Sequence, residues 1–188
     1  DPNNRITYKS DQEYAAHFLE IFRRAVADRL RTPSGTVGIT MSGGLDSTSI
    51  TAVAQQAVNL HDGRPHLIAC SFTFDHLREC DERVYSRAMI DQLGVEVIYV
   101  PAENFWFLDN EEAYTPSLET PFITAEESIT RHILSIFANQ DARIWFTGHG
   151  GDNVVGGSPL IYADRLQRGD LTPLKEMTHF WRNQNFSY

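Results

Sequence analysis

Two glycines, two serines and a carboxylate lie close together at residues 42–47, where the sequence reads Ser-Gly-Gly-Leu-Asp-Ser. An apolar run over residues 36–41 precedes this segment, and apolar residues return at helical spacing after Asp46. The pattern therefore predicts a strand, a glycine turn and the start of a helix. Such a turn directs backbone N–H groups and a helix N-terminus at one point, which makes a site for an anion such as phosphate.

Asp46 is the unusual residue of this turn, because its carboxylate would repel a phosphate unless a cation lay between the two. Mg²⁺ is the expected cation, since proteins commonly hold it with one or two carboxylates together with phosphate oxygens. Ser42 and Ser47 add hydroxyl groups that can donate to the same anion. The turn thus predicts a site for phosphate and Mg²⁺ together.

Two other well-known turns do not fit these residues. A Walker A loop ends in Gly-Lys-Ser/Thr, and residues 32–60 contain no lysine. A hydrolase nucleophile elbow needs a glycine two residues before its serine, where this chain has Thr40. The pattern Ser-Gly-Gly-x-Asp-Ser resembles instead the pyrophosphate-binding loop of the N-type ATP pyrophosphatases. A glycine-rich turn that binds no ligand is the alternative.

Helical and strand patterns alternate along the rest of the chain, which is typical of a parallel α/β sheet. Right-handed crossovers favour a doubly wound sheet with the strand order 3-2-1-4. Asp11 is expected to cap the first helix, and residues 124–127 are expected to form a capping box. The strands are predicted at residues 36–41, 67–74, 95–100 and 143–147. The helices are predicted at residues 11–31, 47–60, 81–93, 122–139, 159–168 and 171–183.

A second glycine-rich segment, residues 148–157, follows the fourth strand. In the expected order the first and fourth strands are neighbours where the winding reverses, and ligands bind beyond the carboxyl ends of the strands at that point. Both glycine segments should therefore meet at one site. Asp152 is expected to face Asp46 and share the cation, or else to cap the next helix. His149 is suited to take a proton from an attacking amine, to contact phosphate or merely to fill space.

The composition limits the kinds of molecule that the protein is expected to bind. The net charge of −9 argues against a general nucleic-acid binder, because such proteins usually present a basic surface. Cys70 and Cys80 fit neither a disulfide framework nor a zinc ribbon, and the apolar run around Cys70 predicts that it lies in the core. No apolar run approaches the ~20 residues of a membrane span. We therefore expect a cytoplasmic protein that binds neither nucleic acid nor membrane.

Taken together, these motifs are similar to the synthetase domain of the asparagine synthetase family, which includes the β-lactam synthetases and lasso-peptide cyclases. The similarity covers nearly the whole chain. The resemblance implies a Rossmann-like adenine nucleotide alpha hydrolase (ATP pyrophosphatase) fold. The segments that show it are residues 42–47, Cys80-Asp-Glu with Tyr85-Ser-Arg87, Leu118-Glu-Thr-Pro-Phe122 and residues 147–157.

By this resemblance the chain would bind ATP and Mg²⁺, with Asp46 and Asp152 as the metal ligands. A substrate carboxylate would attack the α-phosphate, giving an acyl-adenylate and pyrophosphate. An amine would then displace AMP and form an amide, and His149 is the candidate catalytic residue for that step. The residues expected to bind the nucleotide are Met41, Ser42, Gly43, Gly44, Asp46, Ser47, Phe72, Gly148, Gly150 and Gly151.

Several positions depart from the family's pattern. His149 stands where asparagine synthetases usually have Glu and β-lactam synthetases have Tyr, and Asn153 replaces a usual Glu. The family's catalytic lysine lies well downstream of the second glycine segment, and Lys175 is too close to that segment to be it. Asp1 is not a natural start, and the glutaminase domain that opens the family's proteins is absent. Residues 1–188 are therefore expected to be the ATP-binding synthetase domain of a larger protein.

The favoured interpretation is an ATP-dependent ligase that joins a small-molecule or peptide carboxylate to an amine, or to ammonia from a glutaminase domain outside this chain. The alternatives are a lasso-peptide or β-lactam type of cyclase, a catalytically incomplete nucleotide-binding remnant, and a tRNA-modifying or sulfate-assimilating pyrophosphate-loop enzyme. Asp81 and Glu82 are expected either to touch metal or substrate or to stabilise the start of a helix through its dipole. Arg87 is expected to meet phosphate or solvent.

Overall fold

A computed structural model of the chain describes residues 6–60, 65–106, 127–155 and 160–183. The chain forms two compact units, residues 1–149 and residues 150–188. In the described part of the first unit, four strands pair side by side in parallel, in the order β3-β2-β1-β4. The predicted strand order is confirmed. The strands are β1 (Thr36–Thr40), β2 (His66–Thr73), β3 (Glu96–Pro101) and β4 (Ala142–Phe146).

The helices of the first unit lie close to where the sequence predicts them. Two short 3-10 turns follow β2 and β3, at Arg78–Cys80 and Ala102–Asn104. Residues 122–126 of the fourth predicted helix, and with them most of the capping box, lie outside the described residues. The helices are α1 (Asp11–Arg29), α2 (Leu45–Leu60), α3 (Arg83–Leu93) and α4 (Glu127–Asn139).

The predictions for the starts of three helices in the first unit are wrong by one or two residues, and α2 begins at Leu45 rather than at residue 47. Ser10, not Asp11, is the N-cap of α1, because the Ser10 hydroxyl accepts the N–H of Glu13 at 3.4 Å while Asp11 already belongs to the first turn. The third helix begins at Arg83 rather than at residue 81, with Glu82 as its N-cap residue. Its predicted end is right, since Gly94 terminates α3 at φ 66°, a left-handed conformation that favours glycine.

Helices cover both faces of the sheet, which confirms the doubly wound architecture. Because successive strand residues point to opposite faces, Leu67 and Ala69 of β2 pack in one core cluster while Ile68 and Cys70 pack in another. The first cluster includes buried residues of α1, α2 and α3, and the second includes Ile133 and Phe137 of α4. The sheet therefore lies between two layers of helices, and a site can form at the carboxyl ends of its strands.

Gly38 in β1 lets α4 approach the sheet closely. A Cβ added at Gly38 would lie 2.6 Å from the Phe137 ring, so no other residue fits there without a shift of that ring. Cys70 lies beneath the same helix and is completely buried, as predicted, and burial raises the pKa of its thiol to about 11. Cys70 is therefore a core residue rather than a reactive thiol.

Three helices make up the described part of the second unit. The N–H of Thr172 donates to the Asp170 carboxylate at 2.9 Å at the start of the last helix, and Arg165 reaches the same carboxylate at 2.8 Å. The helices are α5 (Gly151–Val155), α6 (Leu160–Gln167) and α7 (Thr172–Asn183). In the part of the chain that the structure describes, no helix combines the length and apolar character needed to cross a bilayer.

Candidate functional site

The turn after β1 lies where the winding of the sheet reverses. Strand β1 is flanked by β2 on one side and by β4 on the other. Met41 is buried, and its N–H donates to the Cys70 carbonyl at 2.8 Å, which extends the pairing of β1 with β2 by one residue. The chain then leaves the sheet at Ser42 and enters α2 at Leu45. The predicted strand–turn–helix is therefore present at the sheet edge where doubly wound folds bind ligands.

Hydroxyl groups hold the turn in shape from inside. The Ser47 hydroxyl, which is buried, accepts the N–H of Ser42 at 3.1 Å and lies 3.0 Å from the Ser42 hydroxyl. The Ser42 hydroxyl in turn accepts the N–H of Gly44 at 3.2 Å. Thr48 donates its hydroxyl to the Gly44 carbonyl at 2.8 Å. The two predicted serines thus stand at the centre of the turn, where they fix its backbone.

The middle of the turn lies directly against the start of α3. The N–H of Gly43 donates to the Glu82 carboxylate at 2.9 Å. A Cβ added at Gly43 would lie 2.7 Å from the Cβ of Tyr85, so the close approach requires glycine. Asp81, the other carboxylate predicted near the site, instead binds Arg83 at 2.7 Å. Arg87 is exposed and lies 3.9 Å from Asp91, which agrees with the solvent-facing alternative.

The beginning of the second glycine segment meets this turn. A Cβ added at Gly148 would lie 2.9 Å from the backbone nitrogen of Ser47 and 3.1 Å from the Cβ of Asp46. The next residue, His149, is exposed, and its N–H donates to the Thr147 hydroxyl at 3.3 Å. Gly148 therefore lies against Asp46 and Ser47, so the start of the second glycine segment meets the first, as the strand order predicts for the two segments.

The later residues of that segment belong to the second unit. Gly150 has a φ of 86°, and Gly151 begins α5. Asp152 lies exposed in the first turn of α5. The meeting of Asp152 with Asp46 stays a prediction, as do the nucleotide contacts expected of Gly150 and Gly151.

The surroundings of Asp46 fit Mg²⁺ better than a metal held by protein alone. Asp46 is half-buried in the first turn of α2, and within the described ranges its carboxylate has neither a hydrogen bond nor an ion pair. The same ranges contain no cluster of three His, Cys, Asp or Glu side chains able to hold a metal. Mg²⁺ needs only one or two carboxylates when phosphate oxygens and water complete its shell. The free carboxylate is therefore compatible with Mg²⁺ bound to a nucleotide.

The loop after β2, residues 74–77, is fixed by Glu103, which sequence reasoning missed. The Glu103 carboxylate accepts the N–H groups of Asp75, His76 and Leu77 at 3.1, 2.7 and 2.6 Å. The ring of His76 lies 3.0 Å from the same carboxylate. The hydrogen bond from His76 and those from the three N–H groups lower the pKa of Glu103 to about 2, and the pKa of His76 is raised in return. This loop follows the carboxyl end of β2, the same end of the sheet at which the turn after β1 lies, and Phe72 near that end is half-buried.

Comparisons with known proteins agree with this geometry. Residues 17–187 match the family model described as asparagine synthase. Over 169 residues the chain is 28% identical to proteins of Mycobacterium bovis and Mycobacterium tuberculosis, each named "Putative asparagine synthetase (glutamine-hydrolyzing)". The match takes in 86% of this chain but spans only 23% of the relatives' length.

A solved structure shows a related fold. The NH3-dependent NAD synthetase from Campylobacter jejuni, determined in complex with the nitrate ion, superimposes with a TM-score of 0.52 at 12% identity, over 74% of this chain and 60% of that one. This likeness supports the fold alone. The family match covers all of the strands and almost all of the helices described above, including both glycine segments. The chain therefore belongs to the asparagine synthase family.

Proposed function

We propose that this chain is the ATP-binding part of a ligase that activates a carboxylate as its adenylate, releases pyrophosphate and transfers the acyl group to an amine. The observation that carries this proposal is the close approach of Gly148 to Asp46 and Ser47. It brings the ends of β1 and β4, a hundred residues apart, to one point beside a helix N-terminus. Membership of the asparagine synthase family makes ATP-dependent amide formation the chemistry that best explains this arrangement.

The residues of the turn have complementary parts in this proposal. Backbone N–H groups at Gly43 and Gly44, with the hydroxyls of Ser42 and Ser47, would hold the β- and γ-phosphate oxygens. Asp46 and Asp152 would hold Mg²⁺, which when bound neutralises charge on the departing pyrophosphate. The chain's own contribution is to fix the triphosphate so that the substrate carboxylate can approach the α-phosphorus in line.

His149 is proposed to take the proton released when the amine attacks. It is exposed immediately after Gly148, and its ring makes no hydrogen bond with another of the described residues, so its nitrogens are available to an incoming group. The relatives are named as glutamine-hydrolyzing. We therefore propose ammonia as the amine, delivered by a glutaminase region of the whole protein.

A second candidate is intramolecular ring closure, as in β-lactam or lasso-peptide formation. The residues that favour it are His149 and Asn153, since both differ from the pattern of asparagine synthetases. The first step would be the same in either case. The two candidates differ in whether the attacking amine belongs to a separate molecule or to the activated substrate.

ATP–pyrophosphate exchange in the full-length protein tests the shared first step. A panel of carboxylates that starts with aspartate identifies the substrate in the wild type. Asp46→Asn should then reduce exchange at least about 100-fold, because it removes charge stabilisation at the transferred group. Asp11→Asn, the same change in the first turn of α1, serves as the matched control and should leave exchange intact. Exchange in Asp46→Asn at the wild-type rate would contradict the proposal, and ATP binding without exchange on any carboxylate would favour the non-catalytic alternative.

A further inference from the structure

We propose that the Glu82 carboxylate competes with phosphate for the N–H of Gly43 in the turn at residues 42–44. In this structure its carboxylate accepts the N–H of Gly43 at 2.9 Å, and binding of a polyphosphate displaces it. This inference rests on the proposed function, since it assumes that the turn at residues 42–44 receives the triphosphate. It assigns Glu82 a role in setting the affinity and selectivity of the site.

The position of Glu82 in its own helix points to this role. Its carbonyl accepts the N–H groups of Tyr85 and Ser86 at 3.0 Å, so its backbone caps α3. Its side chain makes no capping hydrogen bond, although the first turn of a helix has N–H groups without intrahelical partners. The side chain instead reaches a residue 39 positions earlier in the sequence.

Gly43 is the one residue of the turn whose N–H binds an anion in this structure. The N–H groups of Ser42 and Gly44 donate to the hydroxyls of Ser47 and Ser42, which are neutral partners inside the turn. A carboxylate oxygen, like a phosphate oxygen, is an anionic acceptor that forms a charge-assisted hydrogen bond with a backbone N–H group. Glu82 therefore occupies the place that a phosphate oxygen would take.

The carboxylate is expected to leave rather than to share the site. Glu82 is exposed, and Gly43 is the only hydrogen-bond partner of its carboxylate among the described residues, so water can solvate the carboxylate readily once it is released. Retained, it would add a negative charge beside the phosphates and Asp46. Repulsion between like charges at such distances disfavours that arrangement. A ligand must therefore bring enough phosphate charge to the turn to replace Glu82, which disfavours nucleotides without a β-phosphate.

Calorimetric titration of the full-length protein tests this, with pyrophosphate, Mg²⁺-bound α,β-methylene-ATP and AMP as the probes. Glu82→Ala should bind pyrophosphate and the ATP analogue roughly three- to tenfold more tightly than the wild type, because the competing anion is gone. Glu82→Gln keeps a neutral acceptor and should give a smaller gain. The affinity for AMP should not change. Glu79→Gln removes a nearby exposed charge and is the matched control, with unchanged affinity for all three probes.

Other results of these titrations would contradict either the role of Glu82 or the proposed function. Unchanged or weaker binding of pyrophosphate by both Glu82 variants would show that this carboxylate does not compete. Weaker binding of the ATP analogue by Glu82→Gln only when Mg²⁺ is present would assign the carboxylate to the metal instead, which also overturns the proposal. Failure of the wild type and the control to bind any polyphosphate would refute the proposed function itself. Thermal unfolding of each variant confirms the fold, and Glu82→Gln decides the question if Glu82→Ala does not fold.

Discussion

Glu82 and Glu103 make the same kind of hydrogen bond at the same edge of the sheet, but they differ in the number of their partners and in their exposure to solvent. Both carboxylates accept backbone N–H groups from a loop that follows a parallel strand. Glu103 binds three consecutive N–H groups and the ring of His76, and its side chain is only 16% exposed. Glu82 binds the single N–H of Gly43 and is exposed to solvent.

The difference shows when a carboxylate at a backbone N–H is part of the architecture and when a ligand can replace it. Four donors around Glu103 hold the pKa of its carboxyl at about 2, so the anion is strongly preferred there and no incoming anion would match all four contacts. A single exposed hydrogen bond can be exchanged at small cost. The loop at residues 74–77 is therefore held firmly by Glu103, whereas the N–H of Gly43 can exchange its single partner for an incoming anion, as the proposal requires.

Gly43→Ala should have the largest effect on stability and on binding, because it disrupts the packing of the turn against α3 on which the Gly43–Glu82 contact depends. The new Cβ would lie 2.7 Å from the Cβ of Tyr85, and such overpacking costs about 1–3 kcal/mol of unfolding free energy. The turn would have to move off α3 and would lose the backbone shape that presents its N–H groups, so binding of pyrophosphate should be lost although the Glu82 contact is also broken. Gly35→Ala, where an added Cβ meets nothing within 4 Å, is the control for both denaturant unfolding and calorimetry. Unfolding curves and affinities alike in the two variants would contradict the account.

The second prediction compares the contributions of the two glutamates to thermal stability. Glu103→Ala should lower the Tm of the ligand-free protein by several degrees, because three backbone N–H groups of one loop lose their acceptor. Glu82→Ala should leave the Tm unchanged within error, since water replaces a single exposed contact. Differential scanning calorimetry measures both. A larger loss of Tm in Glu82→Ala than in Glu103→Ala would reverse the comparison.

The smallest expected effect is a pH dependence of the stabilisation that Glu103 and His76 provide. The pKa of Glu103 falls from 4.5 to about 2 on folding, so its stabilisation is present above about pH 4.5 and is lost as the pH falls toward 2. The pKa of His76 is raised above 6.5, so its stabilisation is present below that pH and is lost as the pH rises through the raised value. The Tm difference between wild type and Glu103→Gln should therefore be greatest between these limits. A difference that stays constant from pH 3 to 9 would show that neither group contributes in this way.

Sequence patterns predicted the sheet well because its determinants are local or topological. Apolar runs mark the strands, and the right-handed crossover rule fixes their order once the alternation of strands and helices is known. The same rule predicted that the two glycine segments would meet, and the approach of Gly148 to Asp46 and Ser47 agrees with it. The errors lie at helix starts, where Ser10 replaced Asp11 as the cap because either residue type can serve, and at the short helix α5, which falls in a segment predicted only as a glycine loop.

The contacts of Glu82 and Glu103 could not be predicted in the same way. Glu82 reaches Gly43 across 39 residues, and Glu103 reaches Asp75 across 28. No periodicity determines which of several acidic side chains near a strand end turns toward a given N–H group. Asp81 and Glu82 are neighbours of the same charge, yet Asp81 pairs with Arg83 while Glu82 crosses to the turn. In the folded chain it is Glu82 that lies against the turn, since a Cβ added at Gly43 would lie 3.2 Å from the Cβ of Glu82.

A crystal structure of the full-length protein with Mg²⁺ and α,β-methylene-ATP tests the central claim most directly. The account predicts a phosphate oxygen within hydrogen-bond distance of the Gly43 N–H, with the Glu82 carboxylate moved away from it and Asp46 beside the metal. A triphosphate bound elsewhere on the molecule, with Glu82 still on Gly43, would contradict it.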